Sequence, residues 1–137
     1  MADPLSIASA TLAIVTATIQ ASKLLYQTVH SFNNHQRNTR QLLDELIALR
    51  GVLESLQDLA NQEGEFPQLK VPLLQCCQAC TEFGDLLSKC SKHGDGSKAS
   101  LRDWARFKYM DSDVRGFTDM LAGYKATVAI AVADANL

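Results

Sequence analysis

Leu42, Leu46, Leu49, Leu53 and Leu56 recur in alternating steps of four and three residues. That spacing gathers all of them on one face of an α-helix, whereas a strand would scatter them over both of its faces. Leu43 and Ile47 widen the stripe, while Asp44, Arg50, Glu54 and Asp58 fall on the opposite side, towards water. A helix with such a face gains its stability from other helices packed against it. The pattern predicts a helix over about Arg40–Gln62, capped by Asn38 or Thr39 and ended by Gly64.

The rest of the chain supplies the partners. Asp3-Pro4 is a helix start, and a first helix is expected over about Pro4–Phe32. Leu5, Ile7, Ala8, Leu12, Ile14, Val15, Ile19, Leu25, Tyr26 and Val29 share one broad arc of it, and Ser6, Ser9, Ala13, Thr16, Gln20 and Gln27 the other. Asn33-Asn34-His35 reads as a turn, and Glu63 to Pro67 as a loop. A third helix over about Pro72–Lys92 presents Leu73, Cys76, Cys77, Cys80, Phe83, Leu86, Leu87 and Cys90. The His93–Ser97 segment follows as the most flexible stretch, and then a short helix over about Ser100–Met110 with Leu101, Trp104 and Phe107 inward. The last helix, about Asp113–Asn136, turns Val114, Phe117, Leu121, Tyr124, Val128 and Val132 inward. The expected fold class is therefore all-α: a single bundle of four to five helices with a long N-terminal helix, spanning residues 1–137.

At 137 residues one continuous core is feasible without staples. A net charge of -2 gives no reason to expect nucleic-acid binding. Neither a basic n-region nor an arginine-rich transit pattern opens the chain, so the four cysteines are expected as reduced thiols in a cytoplasmic protein. From Pro4 to Ser22 there is no charge, a length that could span a bilayer. Ser6, Ser9, Thr11, Thr16, Thr18, Gln20 and Ser22 interrupt it, which favours a buried helix over a constitutive span. The helical pattern is still running at Ala135-Asn136-Leu137, so this is expected to be the N-terminal domain of a longer protein.

Few residues suggest chemistry. Cys77-x-x-Cys80 and Cys90-x-x-His93 have the spacing of a four-ligand zinc site. However, the helix between Cys80 and Cys90 holds them roughly 15 Å apart, too far to share one ion. The cysteines read instead as small apolar residues on a buried face. His30, His35 and His93 lack a nucleophile partner, and the dispersed carboxylates Asp44, Glu45, Glu54 and Asp58 read as solvated. No enzyme activity, cofactor, metal or small-molecule substrate is expected. Lys89, Lys92, Lys98, Arg102, Arg106 and Lys108 cluster around Trp104 and Tyr109. They read either as a solvated helix face or as a contact for anionic lipid headgroups. Ser9, Ala13, Ala17 and Ala21 repeat every four residues, which lets helix backbones approach closely, ordinarily within a bundle and otherwise in a membrane oligomer.

The opening Asp3-Pro4-Leu5-Ser6-Ile7-Ala8-Ser9 and the leucine-rich Leu42–Leu59 resemble fungal HeLo-like N-terminal domains. So do Trp104–Tyr109 and Phe117-x3-Leu121-x2-Tyr124-Lys125-x-Thr127-Val128-x-Ile130-Ala131, which makes the likeness span essentially the whole chain. One version of that domain opens an azaphilone pigment cluster protein. The resemblance implies a helical bundle placed ahead of further modules in fungal NLR-like (STAND) proteins, acting in cell death or immunity. It also implies a first helix that is released on oligomerisation and inserts into membrane. Leu5, Ile7, Leu12, Ile14, Val15 and Ile19 would then be its lipid-facing residues. The first glycine is Gly51, so the first helix has no glycine zipper; the Ser9/Ala13/Ala17/Ala21 stripe is the candidate substitute. The implied partners are other proteins or a second copy of the chain, and membrane lipids on activation. The competing expectation is a passive adaptor bundle that recruits another protein.

Overall fold

The computed structural model describes residues 4–31, 37–63, 66–91 and 111–136. They form the helices α1 (Pro4–His30), α2 (Arg37–Glu63), α3 (Lys70–Ser91) and α4 (Asp111–Ala135), with a 3-10 turn at Pro67–Leu69 before α3. There is no strand among the described residues, and the all-α bundle expected from the sequence is the fold. The short helix expected over Ser100–Met110, the flexible His93–Ser97 stretch and the turn at Asn33-Asn34-His35 lie outside the described residues.

Side-chain contacts fix the helix directions. Gln57 Nε2 donates to Thr16 Oγ1 at 3.1 Å, while Ser22 and Tyr26 lie beside Leu46 and Arg50, so α2 runs antiparallel to α1. Thr18 Oγ1 donates to the Leu73 carbonyl at 3.3 Å and Gly84 lies beside Leu25, so α3 runs parallel to α1. Phe83 stacks on Phe117 with ring centroids 4.2 Å apart, and Tyr124 lies near Cys76 and Cys80, so α4 returns antiparallel to α3.

The helices form a square in which α1 packs on α2 and α3, and α2 on α4. Among the described residues the fourth side, between α3 and α4, is lightly packed and contains the Phe83–Phe117 stack. α2 and α3 stand on a diagonal, so the chain between them crosses one end of the bundle. That crossing explains why Phe66 and Leu69 are buried although they lie in a connection. The sequence pattern places a loop there; the structure makes it a lid of the core.

The leucine stripe sits where its spacing predicts. Leu42, Leu43, Leu46, Leu49, Leu53 and Leu56 are buried, as are Leu73, Cys76, Cys80, Phe83 and Leu87 of α3 and Val114, Phe117, Leu121 and Val128 of α4. Two apolar residues depart from expectation: Ile47 is 56% exposed and Leu86 44% exposed. Each lies at the margin of its stripe. Asn38 and Thr39 lie within α2, which begins a turn earlier than expected, and Thr39 continues the buried stripe. Glu45 is not simply solvated, because its carboxylate accepts from Lys125 Nζ at 2.7 Å and ties α2 to α4.

Candidate functional site

Helix α1, charge-free from Pro4 to Ser22, is divided along its length. Its first fully buried described side chain is Val15, followed by Thr18, Ile19, Ser22, Leu25 and Val29. Thr18 and Ser22 are polar, yet their hydroxyls donate to the carbonyls of Ile14 and Ile19 at 2.8 Å, so neither is buried without a partner. Just before Val15, Leu12 and Ile14 rest against the core only half-buried. Gln57 of α2 lies level with Thr16, so α2, ending at Glu63, stops about level with residue 10 at a rise of about 1.5 Å per residue. The first turns of α1 therefore project beyond the end of α2.

The outward face of this part of α1 consists of Ala10, Ala13, Thr16, Ala17 and Gln20, all exposed and all uncharged. The outward face of α2 is different in kind: Asp44, Arg50, Glu54 and Asp58 are exposed on it. The small-residue stripe is thus not used for close packing within the bundle at Ala13 and Ala17, contrary to its ordinary meaning. Among the described members of the stripe, only Ala21 is half-buried, in a groove against α3. Leu5, Ile7 and Ser9 belong to the α1 backbone, but their side chains lie outside the described ones.

Of the basic cluster, Lys89 is exposed near the end of α3. Lys92, Lys98, Arg102, Arg106 and Lys108 lie outside the described residues, as do Trp104 and Tyr109. No described helix is long and apolar enough to cross a membrane.

The cysteines fall on α3 in two environments. Cys76 and Cys80, one turn apart, are buried against the core, while Cys77 is half-buried. Hydrogen bonding with Cys76, then burial, pushes the Cys80 thiol far above its ordinary range. A thiol held protonated is a poor nucleophile and a poor metal ligand. Desolvation likewise raises the Tyr124 phenol, with the two thiols adding to it. No group of three or more His, Cys, Asp or Glu among the described residues is placed to hold a metal ion.

Two features escaped the sequence reading. The Glu45–Lys125 pair joins residues 80 positions apart, and no local pattern signals it. A concavity of about 590 Å³ between α1 and α2, lined by Lys23, Tyr26, Ile47 and Arg50 among others, was foreshadowed by one sign. Lys23 is the only lysine or arginine in α1.

No curated protein and no solved structure matches the chain. A family model does, that of the pigment biosynthesis cluster protein PigL N-terminal domain, and its match covers residues 2–137. Because that match takes in nearly every residue, the chain belongs to the PigL N-terminal family.

Proposed function

We propose that this bundle is a non-enzymatic signalling or effector domain of an NLR-like protein, cytoplasmic at rest, that works by clustering and by membrane contact through α1, in cell death or immunity. The observation that carries the reading is the outward face of α1. A helix surface that stays in water throughout its life normally bears charge, as that of α2 does. The Ala10–Gln20 face bears none, so no ion has to be desolvated when it is covered by lipid or by another copy. The half-burial of Leu12 and Ile14 lowers the cost of freeing that end. The resemblance to HeLo-like domains supports the same reading.

Because α1 is not apolar enough to cross a bilayer alone, membrane contact belongs to an assembly, with polar residues turned towards neighbouring copies. The test is dye leakage from anionic vesicles by the domain fused to an oligomerising module. Clustering-dependent leakage, lost in Leu12→Glu with helical content unchanged, is the expected result. Full leakage by that variant would sink the proposal.

The second reading is an adaptor bundle without membrane activity. It is favoured by the large apolar side chains left in water on every helix, Leu24, Ile47, Val71, Leu74 and Ile130 among them. Absence of leakage from a folded, clustered domain would select it.

A further inference from the structure

The concavity between α1 and α2 has the size of a small-ligand site, about 590 Å³. Lys23, Tyr26 and Gln27 line it from α1, and Leu46, Ile47 and Arg50 from α2. Two cations therefore share one hollow, and no carboxylate is among its lining residues. Arg50 pairs through Nε with Glu54 at 3.5 Å, one turn along its own helix, where both groups are about half exposed. Such a pair neutralises Arg50 only weakly. Lys23 is half-buried and has no ion pair among the described residues.

Like charges converging on one hollow oppose each other unless an anion comes between them. The floor adds an apolar requirement. Leu46 is buried beneath it, the Tyr26 ring stacks on His30 at 5.7 Å, and Ile47 stands more than half exposed beside the cations. The geometry points to a binding groove for a small amphiphilic anion, its carboxylate or phosphate held by Lys23 and Arg50 and its apolar body laid over Tyr26 and Ile47. Such a ligand joins α1 to α2 and favours the closed bundle, because it binds the packed state alone. The groove uses neither the outward face of α1 nor the basic cluster, so it stands or falls apart from the membrane reading.

The test is calorimetric titration of the full chain with octanoate, with 1-octanol and inorganic phosphate as the apolar and anionic halves of the probe. Saturable octanoate binding is expected, weakened at least about tenfold in Lys23→Gln and in Arg50→Gln, while both halves alone bind at least about tenfold more weakly. Octanoate should also raise the melting temperature of the parent and not of the double variant. Circular dichroism verifies that the variants remain folded. Absence of saturable octanoate binding, or binding equal in the parent and the double variant, would overturn the site. Phosphate bound as tightly as octanoate would overturn the apolar half of the assignment.

Discussion

Leu49 and Ile47 lie two residues apart on α2 and meet opposite fates. Leu49 is fully buried, so Leu49→Ala should cost about 2–5 kcal/mol through lost burial and the cavity left behind. Ile47 is mostly in water, and Ile47→Ala should change stability by no more than about 0.5 kcal/mol. Urea unfolding of the two variants measures the contrast. Helical periodicity made Leu49 legible, but it could not tell that Ile47, at the edge of the stripe, borders a hollow and not a neighbouring helix. The Cys80 thiol gives a second prediction. Its folded value lies above the ordinary 9.0, so its contribution to stability is complete below that pH and is lost as pH rises past it. Between pH 8 and pH 10, under reducing conditions, the parent should lose about 1 kcal/mol more than Cys80→Ala. Equal losses in urea titrations at the two pH values would show that Cys80 ionises as freely in the folded chain as in the unfolded one.

Among the elements, α2 was the most legible because its stripe is unbroken and its outer face charged. Its start was misplaced by a turn: Asn38 and Thr39 look like caps, yet Thr39 continues the buried stripe, and tertiary packing extends the helix over both. Gly51 sits within α2 on its exposed side, and a β-carbon there would meet nothing within 4 Å. No turn or close approach requires a glycine at that point. Gly51→Ala should therefore stabilise the bundle by about 0.5–1 kcal/mol, seen as a higher urea midpoint at unchanged slope. The short connection before α3 was illegible for another reason. Phe66 and Leu69 are core residues because α2 and α3 stand on a diagonal, a fact about topology that no local window contains. For α1, the sequence showed the charge-free run but not its division, with side chains locked into the core from Val15 on and Leu12 and Ile14 only half-buried before it.

At the scale of the molecule, the bundle is a square with one lightly packed side, between α3 and α4, and with one helix whose beginning projects past its neighbour. The all-α class was legible because every apolar stripe repeats at the helical period. Which helices touch was not, since stripes of similar width can pair in several ways. The candidate site was legible as composition, in the charge-free run from Pro4 to Ser22, and became a surface only when Ala13 and Ala17 proved to face water. The proposed action requires α1 to leave the bundle. Thr16 and Gln57 are in hydrogen-bond contact across α1 and α2, so cysteines at both positions can be bridged by a reducible methanethiosulfonate cross-linker, with Cys77 and Cys90 replaced by serine. Vesicle leakage by the clustered Thr16→Cys/Gln57→Cys domain, before and after reduction, is the most direct measurement. No leakage is expected while α1 is tied to α2, and leakage on release of the bridge; equal leakage in both states, or none in either, would show that the domain does not act by freeing α1.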